Sequence, residues 1–215
     1  YLVLLGNDTV VDPGFLTEMV QAAESDSSIG VAGAKIYRMA DPSHIQFAWH
    51  RIDLRWGRVL NIGWRALDVG QFEQLTYVDA VQASCFLMRV SMVRKLGMLD
   101  EAYFLGWEDL DYCVRTAKAG FRVVYVPKAK IWHKQAASRI KSPYNFGYHA
   151  VRGQFLFMKK HASRSQYATF LLYFFGYYFW FCSALYLLYH RSPRAAIGFW
   201  AGVRDGFKLS RRRLQ

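Results

Sequence analysis

From Ser165 to Tyr189 the chain carries no charged residue, and this run of 25 contains FLLYFFGYYFWFCSALYLLY. A segment that is apolar on every side is a poor outer helix for a small water-soluble domain, and its length suffices to cross a bilayer. Its tyrosines and Trp180, however, are residues of the membrane interface. Positive charge flanks it on both sides, with Arg152, Lys159, Lys160 and Arg164 before it and Arg191, Arg194 and Arg211-Arg212-Arg213 after it. A single crossing would carry one of these clusters to the far side against the positive-inside tendency. The expectation is a helical hairpin or interfacial helix on an anionic leaflet, with AAIGFWAGVRDGF as a second amphipathic segment. A simple spanning helix is the alternative.

Charge divides the chain in the same place. Residues 1–125 hold 12 Lys/Arg and 15 Asp/Glu, whereas residues 126–215 hold 16 Lys/Arg and the single acid Asp205, giving the net +12. An acidic half suits a metal or acid–base chemistry, and a basic aromatic half suits an anionic surface. Nucleic acid is disfavoured as that surface, because the aromatics form one unbroken apolar run with the cations outside it. Cys85, Cys113 and Cys182 are odd in number and far apart, which suggests neither a disulfide framework nor a zinc site and fits a reducing compartment.

Before residue 133 the text alternates between strand and helix. YLVLL reads as a strand buried on both faces, Asp12-Pro13 as a helix start, and IGVAGAKIYR as a second strand. Residues 45–60 suggest a hairpin, and the stretch from there to Gln74 has no clear period. YVDAVQASCFLMRV reads as strand, SMVRKLG as a short helix capped by Ser91, GWEDLDYCVRTAKAG as a helix ended by Gly120, and FRVVYVP and AKIWH as two strands. The class is therefore α/β with a mixed sheet over residues 1–140, followed by a helical basic and aromatic region over 141–215.

Three element ends carry candidate chemistry. Asp8 follows the first strand, where open α/β sheets gather ligands, and could be a hard oxygen ligand for Mg²⁺ or Mn²⁺; taken in isolation, Asn7-Asp8-Thr9 is more often merely a turn. Glu108 and Asp109 begin a helix, where the macrodipole favours acids, and Gly106-Trp107 before them make an aromatic approach of the kind sugars stack on. Asp111 is the weakest candidate, because Arg115 follows at i+4 and the two are expected to pair on the helix surface. His133 ends an alternating strand.

The blocks LLGNDTVVDPGFL and VDAVQASCFLMRVSMVRKLGMLDEAYFLGWEDLDYCVRTAKAGFRVVYVPKAKIWHK together resemble glycosyltransferase family 2, inverting enzymes that include bacterial rhamnosyltransferases and galactofuranosyltransferases. The resemblance covers roughly residues 1–165. It implies a GT-A-type sheet, a nucleotide-sugar donor, and a glycan acceptor, lipid-linked and presented at the cytoplasmic face of the inner membrane. Asp8 matches the last carboxylate of the family's metal-binding D-x-D signature, whose other positions here are Gly6 and Asn7. His133 matches the strand-end histidine that helps hold the metal or diphosphate. Asp109 matches the general base, with Glu108 as its neighbour, and Trp107, Ser84 and Cys85 match the acceptor side; plain close packing is an equal reading for Ser84 and Cys85. Arg152 is carried over as a phosphate or headgroup contact, although Gly153 stands where relatives have Asn. The resemblance further implies that the first nucleotide-binding βαβ units precede Tyr1, leaving this piece inactive by itself. A non-catalytic sugar-binding or scaffold relative is the alternative reading.

Overall fold

The computed structural model describes residues 1–134 and 142–212, with side chains as far as Leu209. The predicted division at residue 140 and the Arg211-Arg212-Arg213 side chains lie outside the described residues. Two compact units result. The first comprises Tyr1–Ile52, Val59–Asp100 and Asp109–Gln135, and the second Asp53–Arg58, Glu101–Glu108 and Ala136–Gln215.

Strands of the first unit are β1 (Leu2–Leu5), β2 (Thr9–Val11), β3 (Ile29–Arg38), β4 (Asp41–Phe47), β5 (Trp49–Asp53), β6 (Arg58–Ile62), β7 (Thr76–Tyr77), β8 (Cys85–Met88) and β9 (Arg122–His133). Seven of them form a mixed sheet in the order β1-β8-β3-β9-β2, with β4 added to β3 and β7 to β9, while β5 and β6 make the expected hairpin. Among the described residues only β3 and β9 run parallel to each other, so the mixed α/β class is the observed one. Helices α1 (Phe15–Ser25), α2 (Val90–Leu96) and α3 (Glu108–Lys118) complete this unit. The apolar face of α1, carrying Met19, Ala22 and Ala23, closes the core against Ile29, Ile36, Leu87, Val124 and Ile131.

Several local expectations change. Among the described residues β1 is an edge strand paired with β8 alone, and it is half-buried instead of enclosed on both faces. Asp12-Pro13 forms a turn ahead of α1, with the Asp12 carboxylate accepting the Gly14 N–H at 2.9 Å; the helix itself starts at Phe15. The long YVDAVQASCFLMRV stretch divides into β7, a turn and β8, and Arg89 instead of Ser91 is the residue ahead of α2. FRVVYVP and AKIWH are one strand. Pro127 is accommodated because the register against β3 jumps from Ala34↔Val126 to Lys35↔Lys130, so that proline falls in a bulge where no ladder N–H is required.

The irregular segment before Gln74 is held by a side chain that no local pattern shows. Lys35 is fully buried in β3; its ammonium donates to Asp68 at 2.7 Å and pairs with Glu73, and the Tyr37 hydroxyl donates to Asp68 as well. A buried ammonium requires such partners, so the loop is tied to the sheet wherever its two acids must reach Lys35.

In the second unit, α4 (Pro143–His161), α5 (Arg164–Tyr189) and α6 (Pro193–Arg212) pack together. The Ser163 hydroxyl caps α5 in a capping box with Gln166. Close approach of α4 and α6 depends on the absence of side chains: a Cβ on Gly198 would lie 2.2 Å from the Tyr144 carbonyl oxygen, and one on Gly202 would lie 2.3 Å from that of Tyr148. Gly202→Ala is therefore expected to destabilise the protein by about 1–3 kcal/mol through overpacking. Helix propensity alone would give a gain of about 1 kcal/mol. Urea unfolding followed by circular dichroism measures the sign, with Gly176→Ala as the control, since a Cβ there meets nothing within 4 Å.

Candidate active site

Two of the three predicted element ends meet through the sheet. β2 pairs antiparallel with the end of β9 in the register Thr9↔His133, and the Lys134 N–H donates to the Asp8 carbonyl at 2.9 Å. This brings Asp8 Oδ1 to 3.2 Å from His133 Nε2. Residues 6–9 form a turn closed by the Thr9 N–H and hydroxyl on the Gly6 carbonyl, with Asn7 exposed at its tip. A Cβ on Gly6 would meet Asp8 Oδ1 at 3.2 Å, so a side chain at that position would crowd the carboxylate.

Gln46, which sequence reasoning passed over, is a hydrogen-bond partner of His133. It is almost fully buried in β4, and its Oε1 lies 2.9 Å from His133 Nδ1. With Oε1 as the assigned acceptor, Nδ1 carries the proton and Nε2 is left to face the Asp8 carboxylate. The two atoms face each other at 3.2 Å, and with the hydrogen on Nδ1 both can offer lone pairs to a cation. Ligands on adjacent corners of an octahedron with bonds of about 2.1 Å stand about 3.0 Å apart, so the pair fits Mg²⁺ or Mn²⁺. Among the described residues no group of three or more His, Cys, Asp or Glu side chains could hold a metal.

Asp109 connects to the same end of the sheet through one loop. Its Oδ2 accepts the Ala83 N–H at 3.2 Å and its Oδ1 accepts the Leu110 N–H at 2.9 Å, while the neighbouring Ser84 carbonyl accepts the Gly6 N–H at 3.0 Å. The Asp8 turn, the Ser84 loop and the start of α3 are therefore hydrogen-bonded in series. Asp109 is 9% exposed, and two backbone donors orient its carboxylate while leaving lone pairs for a further partner.

Ser84 remains half-buried at this loop, with its hydroxyl on Gln82 Oε1 at 3.0 Å. Cys85 does not face the site. Its thiol is in the core against the Met19 sulfur at 3.6 Å, burial pushes its pKa up to about 12, and close packing accounts for it. Asp111 is corrected too: it does pair with Arg115, at 2.8 Å, but in the interior, with no exposed surface on the carboxylate. That arginine also donates to the Leu96 and Met98 carbonyls, anchoring the end of α2. Glu108 opens α3 and is half-buried.

Trp107 and Arg152 belong to the second unit. Trp107 has φ 76°, a conformation that side chains avoid; its indole N–H donates to the Ala150 carbonyl at 2.8 Å, and its ring lies against Phe157. A Cβ on residue 153 would strike that indole at 2.6 Å, which explains glycine beside Arg152. Arg152 donates to the Ala102 carbonyl at 2.8 Å and lines a cavity of about 280 Å³ with Tyr148, Asp205, Lys208 and Leu209.

His50 is the second residue missed from sequence. It sits buried in β5 with Nδ1 donating to Asn61 Oδ1 at 2.7 Å, close enough to Asp109 to sense its charge. A lone histidine in WHRID gives no sign of that neighbour.

The family model described as "Glycosyltransferase like family 2" matches residues 1–146 of the 215, and the chain belongs to that family. The uncharacterized protein y4gI of Sinorhizobium fredii is 30% identical over 145 residues, covering 64% of this chain and 16% of the relative. An N-acetylglucosaminyl-diphospho-decaprenol L-rhamnosyltransferase of Mycobacterium tuberculosis is 41% identical over 66 residues, 31% of this chain and 22% of that protein. The chain thus matches less than a quarter of the length of either. The crystal structure of GalNAc-T7 with UDP, GalNAc and Mn²⁺ aligns over 96% of this chain and 38% of its own, at 12% identity and a TM-score of 0.49.

Burial is the main influence on His50, holding it below its ordinary pKa of 6.5, while the charge of Asp109 and the Asn61 hydrogen bond oppose the shift. Below about pH 6.5 the unfolded chain protonates this residue and the folded chain does not, so folding stability falls as pH is lowered and is unaffected above that value. The urea midpoint is expected to drop more steeply between pH 6.5 and 5 in the wild type than in His50→Gln.

Proposed function

We propose that this chain is part of an inverting glycosyltransferase that moves a sugar from a nucleotide-diphosphate donor to a hydroxyl of a lipid-linked glycan at the cytoplasmic face of the membrane. The observation that carries the proposal is the series of hydrogen bonds joining the Asp8–His133 pair to Asp109 through the Ser84 loop. Family membership supports a nucleotide-sugar donor. A lipid-linked acceptor is supported by the rhamnosyltransferase relative, whose name contains a decaprenyl diphosphate. An apolar helix, Arg164–Tyr189, long enough to cross a bilayer supports attachment to a membrane.

Asp8 and His133 would hold a divalent cation, which when bound neutralises the negative charge that develops on a departing diphosphate. Gln46 keeps the His133 ring oriented with Nε2 toward that position. Asp109, fixed by the Ala83 and Leu110 N–H groups, accepts the proton of the acceptor hydroxyl as the oxygen attacks the anomeric carbon. Attack from the face opposite the leaving group inverts the configuration in one displacement. Ser84 is offered as an acceptor contact, and Glu108 and Trp107, both half-buried, are offered for the same role as the residues that precede Asp109 in the chain. Arg152, with Lys208 in the same cavity, is offered as the contact for a phosphate or headgroup.

The test uses the complete natural polypeptide, a panel of nucleotide sugars and a polyprenyl-diphosphate-linked glycan. Asp109→Asn is expected to lower the transfer rate by about 10²–10⁴ with donor affinity unchanged. Retention of more than about a hundredth of the rate removes Asp109 from the base role. Asp8→Ala is expected to weaken donor binding in Mn²⁺ and to leave binding in chelator unchanged. Absence of metal-dependent transfer or hydrolysis with every donor would favour the non-catalytic, sugar-binding reading.

A further inference from the structure

Helix α5 shows a surface regularity that its composition does not. Ala168, Leu172, Gly176, Trp180, Ala184 and Leu188 are all exposed, at intervals of four residues, with Leu172 at 77%, Trp180 at 65% and Leu188 at 77%. Phe170, Phe174, Cys182 and Ser183 are buried. In an α-helix of 3.6 residues per turn a four-residue step overshoots by about 40°, so five steps would wind the stripe about 200° around the axis. Two π-helical turns, Phe174–Tyr178 and Leu185–Tyr189, counter that drift. In them the Phe179 N–H reaches back to the Phe174 carbonyl and the His190 N–H to that of Leu185, each five residues earlier. Each turn holds one extra residue, setting the phase back by about 100°, and two set it back by about 200°. These six positions are thereby kept along the middle of the exposed face, with the exposed Phe175, Tyr177, Phe181, Leu187 and Tyr189 on its flanks.

Neighbouring helices decide how such a line can meet lipid. Along α5, Phe199 of α6 packs on Phe174, Phe179 and Tyr186, and Phe207 of α6 packs on Phe175. The charged residues Arg204, Asp205 and Lys208 of α6 therefore lie alongside the first half of α5. If α5 crossed a bilayer along its axis, those charges would enter hydrocarbon with it, at a cost that only the ends of a helix can escape by snorkelling. Lying in the plane of the leaflet, α5 can place its uncharged stripe among acyl chains. Trp180 then sits with the rest of the stripe in the outermost acyl layer, Arg164, Arg191 and Arg194 are at the two ends of the helix, and the α6 charges lie alongside it.

We propose that α5 is an in-plane membrane anchor whose contact is the straight stripe Leu172–Gly176–Trp180–Ala184–Leu188, and that its partner is the outermost acyl layer of an anionic phospholipid leaflet. This rests on the membrane attachment in the function proposed above and fixes its geometry. Its test uses the full chain and vesicles of phosphatidylglycerol and phosphatidylcholine. Leu172→Cys, Trp180→Cys, Leu188→Cys and Arg204→Cys are each labelled with an environment-sensitive fluorophore; the native cysteines are buried. The three stripe labels are expected to shift to the blue on vesicles and to be quenched equally by a shallow nitroxide lipid, with the Arg204→Cys label unchanged. Graded depth from residue 172 to 188 would overturn the in-plane stripe in favour of a crossing helix and leave membrane attachment standing. Vesicle binding without any shift would overturn the stripe alone, and absence of vesicle binding would remove the attachment as well. Leu172→Asp with Leu188→Asp, judged by circular dichroism to be folded, is expected to lose vesicle affinity tenfold or more.

Discussion

The parallel pairing of β3 with β9 is the constraint on which the first unit depends. It runs from Ile29↔Arg122 to Arg38↔His133, and both strands lie inside the sheet, so their register is set by apolar side chains on two buried faces. One end of β9 delivers His133 to the Asp8 turn through β2, and β3 holds β8, whose preceding loop contacts Asp109. A slip of one residue in this pair would turn His133 to the other face. The bulge at Pro127 lets a residue without an N–H lie within so long a strand, and the pairing resumes beyond it for His133 to be positioned.

Around that frame the polar groups of the site are oriented by backbone and by one buried amide. Gln46 acts on His133, Ala83 and Leu110 act on Asp109, and the Ser84 carbonyl acts on the Asp8 turn. Such support restricts rotation of each group without consuming its remaining lone pairs. The fully buried Lys35 plays the matching structural part, since its two acid partners tie the loop ahead of β7 to the sheet.

The helical unit follows a different logic. Glycines at 198, 202 and 206 bring α6 against the backbone of α4, and aromatic contacts fill the space beside α5. Its two π turns give up regular i to i−4 bonding in exchange for alignment of the exposed side chains.

Much of this was legible in the sequence. Alternating apolar runs and helix stops such as Gly120 revealed the α/β class, and the uncharged stretch from Ser165 revealed a long apolar helix, because both signals are local. The motif series singled out Asp8, Asp109 and His133, which the structure joins through backbone hydrogen bonds of the Ser84 loop and the pairing of β2 with β9. Tertiary structure alone decided that Cys85 and Asp111 turn inward, that Gln46 and His50 stand beside His133 and Asp109, and that the exposed face of α5 is straight. Those outcomes depend on hydrogen bonds and packing between residues far apart in the chain, and a pattern read along one segment contains no term for the partner that a side chain meets across the fold.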